Sequence, residues 1–187
     1  RTNLAFYQEE VERRCGICLS DPTIYEAFTY YEREVLPHKN DDTINAKAMP
    51  GAHAALQAVQ DAGLRCALFT NPSFPQGAID CRMGWGELTD APFELVTHMG
   101  NATRCKPDAT YYLEQLQVMG LEPHEVLMVG NDPKRDFPSP DCGIQTAYVG
   151  QGKPSRATWR GTMEDFAHNF NVVVEAFYEH QVADELS

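Results

Sequence analysis

The chain has 187 residues, 43% of them hydrophobic, and carries 15 Lys and Arg against 27 Asp and Glu for a formal net charge of −12. This length suits one domain, or a core with a small added subdomain, and the acidic balance speaks against nucleic acid or an anionic membrane surface as a partner. No apolar run reaches the length of a membrane span or resembles a secretory h-region, so a cytoplasmic location is expected. Composition assigns no oligomeric state.

Residues 4–36 read mostly as helix, interrupted at Gly16 and again near Asp21-Pro22. Asp21 can cap the second helix, with Pro22 at its first position. Cys15-Gly16-Ile17-Cys18 is the one CxxC among six cysteines. It lacks a second Cys or His pair at zinc-ribbon spacing, so small side chains in a helical segment are the simpler reading than a redox or metal centre. The scatter of Cys66, Cys81, Cys105 and Cys142 along a chain of this length points to free thiols in a reducing compartment. Pro37–Lys47 is polar and is expected to be a linker.

From Met49 the rhythm becomes α/β. Pro50-Gly51 opens a helix with Ala52, Ala55, Leu56 and Val59 on its apolar face and Gly63 as its stop. Leu64–Phe69 predicts a short strand buried on both faces, ended by Thr70-Asn71-Pro72. After a Gly- and Pro-punctuated stretch with a short helix near Gln76–Arg82, Phe93–Thr97 predicts a second strand. Pro107 and Asp108 start a helix with Leu113, Leu116 and Met119 on one face and Gly120 as its end. Glu125–Val129 and Ile144–Val149 predict two further strands. A closing helix starts at Thr162, where Asp165 stands in for the usual Glu of a capping box, and continues through Val172–Tyr178. Strands separated by helices imply a parallel sheet with right-handed crossovers.

Polar side chains gather at the predicted strand ends. The run Val129-Gly130-Asn131-Asp132 through Asp136 releases two carboxylates at the carboxyl end of an apolar strand, where open α/β sheets bind ligands. Hard oxygens there suit Mg²⁺, which is usually held by one or two carboxylates together with a substrate phosphate. The plainer reading is helix-terminal capping. Thr70, with Asn71 and the backbone of the next turn, can hold a phosphoryl oxygen, although Thr after a strand is more often a turn-former. Lys106, just before a helix, could neutralise a nucleophile and a transferred phosphate together; a surface Lys is the bland alternative.

The order of these features resembles the haloacid dehalogenase (HAD) superfamily. Leu64–Asn71 is similar to its second motif region, Cys105-Lys106-Pro107-Asp108 to its third, and Val129–Asp136 to its acidic fourth. The resemblance covers residues 50–150, and the helical block at 4–47 is similar to a C1-type cap. It implies an α/β fold: a Rossmann-like core at 48–187 with a parallel sheet, and an inserted or preceding α-helical cap at 1–47. It also implies phosphate-ester hydrolysis through an aspartyl-phosphate on a small phosphorylated substrate. In that scheme Thr70 and Asn71 bind the phosphoryl group and Lys106 steadies nucleophile and phosphate. Asp132 or Asp136, with Asn131 alongside, helps hold Mg²⁺.

Two departures matter. The family's first motif, Asp-x-Asp-x-Thr after an apolar strand, is absent, and with it the nucleophile that covalent catalysis needs. The chain begins at Arg1 rather than Met, so a missing upstream segment is expected. The absent strand belongs mid-sheet, between the strands at 64–69 and 125–129. Phe137-Pro138-Ser139-Pro140 is also poor helix material where the family usually runs a helix. The sequence therefore leads to a HAD-type phosphatase lineage, inactive as written, with a non-catalytic binding module of the same fold as the alternative. A thiol redox protein using Cys15 and Cys18 is the third class.

Overall fold

The computed structural model describes residues 1–41, 44–154 and 156–185, so positions 42 and 43 of the expected linker lie outside the described residues. Its regular elements are, in order, α1 (Asn3–Cys15), α2 (Pro22–Tyr30), α3 (Ala52–Asp61), β1 (Cys66–Leu68), α4 (Gln76–Trp85), β2 (Phe93–Val96) and α5 (Ala109–Met119). There follow β3 (Leu127–Gly130), β4 (Gln145–Val149), β5 (Trp159–Gly161), α6 (Met163–His168) and α7 (Phe170–Glu185). The chain divides into two compact units, Arg1–Ala48 with Leu68–Ala91 and Val96–Arg104, and Met49–Ala67 with Pro92–Leu95 and Cys105–Ser187.

In the first unit the sequence punctuation works as read. Gly16 ends α1 in the left-handed region at φ 67°, and its N–H bonds the Glu12 carbonyl. The Asp21 side chain accepts from Thr23 N, and Pro22 opens α2. The α2 chain continues as a π turn, Tyr31–Val35, and a 3-10 turn, Leu36–Lys39, both of which pack on α4. The start of α1 is tied down by its own N–H groups: Asn3 N donates to the Ala102 carbonyl and Leu4 N to that of Met99, each at 2.8 Å.

In the second unit β3, β4 and β5 form a parallel sheet in the order β3-β4-β5, with Leu127 opposite Gln145 and Ala147 opposite Trp159. The α/β class and parallel sheet are as expected. One core cluster joins Ala55 of α3, Ala147 and Val149 of β4, Phe166 of α6, and Phe170 and Val173 of α7. The rings of Trp159, Phe166 and Phe170 meet edge to face in sequence. Gly51 permits the close approach of α3 to α6: a Cβ there would stand 2.6 Å from the Glu164 backbone nitrogen.

Four expectations need correction. The strand expected at 64–69 forms only over 66–68, and its residues are half-buried rather than buried on both faces. β1 pairs with β2 in a sheet of its own, and among the described residues no strand joins it to β3. β3 is therefore the edge of its ladder, and Leu127, Met128 and Val129 are half-buried while β4 beyond Gln145 is buried. On α5 the inward face is Tyr111, Tyr112, Gln115 and Leu116, whereas Leu113 is 42% exposed. Finally, the closing helix breaks at Asn169 into α6 and α7, and β5 precedes it unannounced.

Candidate active site

The most developed polar constellation sits at the carboxyl end of β3. Asp136 folds back over the strand end, and its Oδ2 accepts from the backbone N–H groups of Asn131 and Asp132, both at 2.9 Å. Its Oδ1 accepts from Lys106 Nζ at 2.9 Å, an ion pair whose side chains are only 6% and 13% exposed. Gly130 makes the fold-back possible, since a Cβ at this position would lie 2.4 Å from Asp136 Cβ. Asp136 is thus saturated by one ammonium and two amides, the arrangement in which a buried carboxylate is tolerated.

Asp132 differs. Its side chain is 44% exposed, Oδ1 accepts from Lys134 N at 3.0 Å, and Oδ2 lies 3.7 Å from Arg135 Nε. It keeps lone pairs for a further partner, and Asn131 beside it is exposed. Hard oxygens with open coordination are the donor chemistry Mg²⁺ takes, so Asp132 and Asn131 fit that ion better than the occupied Asp136.

Two residues that sequence reasoning missed hold this loop. Tyr112, fully buried on α5, donates its hydroxyl to the Arg135 carbonyl at 2.6 Å. Burial, and after it the Asp136 charge, pushes that hydroxyl well above its ordinary range, so it stays a donor at neutral pH. Arg156 donates to the Pro138 carbonyl at 2.6 Å and pairs with Asp141 at 3.0 Å, fixing the segment that follows. That segment is irregular, as Pro138 and Pro140 require, and it is anchored by the buried Phe137 and by Ser139 N donating to the Pro107 carbonyl at 2.7 Å.

Thr70 and Asn71 belong to the first unit. Thr70 donates its hydroxyl to the Thr97 carbonyl at 2.6 Å, while its backbone N–H donates to Thr97 Oγ1 at 2.8 Å. Thr97, completely buried, is the third residue missed; its one signal was a hydroxyl following Leu95-Val96 at the end of a strand. The Asn71 side-chain oxygen is buried with no hydrogen-bond donor among the described residues, an acceptor held open where a polar ligand group would satisfy it.

The cysteines build no comparable site. All six are free thiols. Cys18 Sγ lies 3.1 Å from Ser20 Oγ, and among the described residues no three His, Cys, Asp or Glu side chains gather as a metal site. No helix among the described residues is long and apolar enough to cross a membrane.

Among curated proteins, no sequence matches the chain. Solved structures do share the fold. A β-phosphoglucomutase-like protein from Thermotoga maritima superposes with a TM-score of 0.60 at 18% identity, covering 91% of each chain. A HAD-superfamily hydrolase of subfamily IA from Geobacter sulfurreducens PCA gives 0.53 at 23% identity, over 89% of this chain and 87% of that one. A protein described as a phosphoglycolate phosphatase from Haemophilus somnus 129pt gives 0.55 at 18%, over 65% of this chain and 56% of that one. At such identities the likeness is one of fold. A family model described as haloacid dehalogenase-like hydrolase matches residues 20–139, more than half of the sequence, and the chain belongs to that family.

Proposed function

We propose that the chain represents a Mg²⁺-dependent phosphatase lineage acting on a small phosphorylated substrate in the cytoplasm, with residues 1–47 as a helical cap and 48–187 as the catalytic core. The observation that carries the reading is the buried Lys106–Asp136 pair at the end of β3, with Asp132 open beside it. Asp132 and Asn131 would hold the ion, and when bound it supplies charge neutralisation for phosphoryl oxygens. Asp136 is a positioning residue: it fixes the Lys106 ammonium and aligns the amides of Asn131 and Asp132. Lys106 offers its remaining N–H donors to a phosphoryl oxygen and balances the charge that develops there. In the first unit, Thr70 would offer a phosphoryl oxygen the hydroxyl it now donates to the Thr97 carbonyl, and the Asn71 side-chain oxygen would accept from a polar substrate group.

The sequence holds no pair of aspartates two positions apart, so it has no Asp-x-Asp-x-Thr and no nucleophile for the aspartyl-phosphate. The 187-residue chain is therefore expected to give no Mg²⁺-dependent hydrolysis of a generic phosphate ester above background; measured turnover would overturn that claim. The same absence favours a second reading, a non-catalytic binding module. The two part at the coding sequence before Arg1, where an Asp-x-Asp-x-Thr after an apolar strand would place the protein among the enzymes.

A further inference from the structure

A separate cavity lies wholly within the first unit. Leu36, Ile44, Lys47, Arg82 and Trp85 wall a space of about 400 Å³, a size that small-molecule sites commonly have. Its walls are fixed by specific bonds. Trp85 Nε1 donates to the Pro37 carbonyl at 3.3 Å. That uses the ring's one polar atom and leaves its faces as apolar wall. The lining residue Ala46 is held by Asn40, whose side-chain amide donates to the Ala46 carbonyl at 2.8 Å and whose oxygen accepts from Ala46 N at 2.6 Å.

Charge is the second observation. The chain has 27 acidic residues to 15 basic ones, and seven of the basic side chains, Arg1, Arg13, Arg14, Arg65, Lys106, Arg135 and Arg156, have a carboxylate within reach. Lys47 and Arg82 line one cavity, and among the described residues neither pairs with an acidic group; Arg82 rests over the Phe74 ring, 5.4 Å from its centroid. A guanidinium so stacked keeps its N–H edge for an oxyanion.

We infer that the Lys47–Arg82–Trp85 cavity is a binding site for a small oxyanion carried on a flat apolar body, an aryl carboxylate or an aryl phosphate. The two cations take the oxygens and the Trp85 face takes the ring. The site is independent of Lys106, Asp132 and Asp136, so it stands or falls apart from the phosphatase reading.

Trp85 reports directly on the cavity. Of the two tryptophans, Trp159 is removed as Trp159→Phe, and the full chain is titrated with phenylphosphonate, benzoate, benzyl alcohol and inorganic phosphate while Trp85 fluorescence is followed. Saturable change with phenylphosphonate or benzoate is expected, and the stronger of the two tells which oxyanion the site prefers. Lys47→Gln with Arg82→Gln should weaken that binding about fivefold, the effect of losing two exposed charge contacts. Both side chains are exposed, so the variant is expected to fold, and unchanged circular dichroism checks this. No saturable change overturns the site. Equal binding of benzyl alcohol, or an unchanged affinity in the double variant, overturns the role of the cations; inorganic phosphate binding as tightly as phenylphosphonate overturns the role of the ring.

Discussion

Lys106 and Asp136 illustrate how a buried charge is kept: neither side chain has enough water around it to be left alone, so the ammonium donates to the carboxylate and the carboxylate also accepts from two backbone amides. Removing one partner strands the other, which typically costs about 3–5 kcal/mol, whereas replacing both with apolar groups costs far less. Lys106→Met and Asp136→Leu are each expected to lower unfolding free energy by that order, and the double variant by clearly less than the sum. A guanidinium titration of the four proteins measures it. His98 offers a pH signature. Burial, partly opposed by the Asp80 charge, lowers its pKa from the ordinary 6.5, and its Nδ1 accepts from Gly100 N at 3.1 Å. The folded protein then binds fewer protons than the unfolded chain, so stability is whole above the ordinary value and falls as pH drops below it. His98→Gln should flatten the decline in melting temperature between about pH 7 and about pH 5; an unaltered slope would refute the assignment. At this scale the sequence spoke unevenly. Lys106, Asp132 and Asp136 could be singled out because their residue types sit beside a strand end and a proline. Tyr112 and Thr97 could not, because their importance lies in the groups they meet far along the chain, the Arg135 carbonyl and the Thr70 hydroxyl and amide.

Elements bounded by local chemistry were the legible ones. The capping box at Thr162 forms as read: Thr162 Oγ1 accepts from Asp165 N at 3.0 Å, and Asp165 Oδ2 accepts from Thr162 N at 2.8 Å. The backbone and side-chain bonds from Thr162 hold the Asp165 carboxyl below its usual range. Thr162→Ala is expected to destabilise the protein by about 1 kcal/mol, seen as a lower urea midpoint at unchanged slope. Strand burial was less legible because it depends on neighbours. Glu125–Val129 reads as a strand within one parallel sheet, yet among the described residues β3 has a ladder partner on one side only and stays half-buried. The inward face of α5 was misjudged for a related reason. Leu113 fits the apolar period, but the two tyrosines bring more area and take the buried side, leaving Leu113 exposed. Trp159-Arg160-Gly161 is too short and too mixed to announce a strand; its register against Ala147–Val149 defines it.

At the scale of the molecule, an excess of twelve negative charges works against compactness through self-repulsion. Its exposed pairs, such as Arg65–Glu94 at 2.8 Å, contribute little each. Added salt screens repulsion over about 10 Å at 0.1 M, so the melting temperature is expected to rise as sodium chloride goes from about 0.05 to about 0.5 M. A fall would show that attractive surface pairs dominate instead. The arrangement of the strands has one more consequence. Because β1–β2 and β3–β4–β5 share no hydrogen bond among the described residues, either ladder can exchange its amides through an opening event that leaves the other's bonds intact. The protein is thus built to breathe in two separate cooperative blocks.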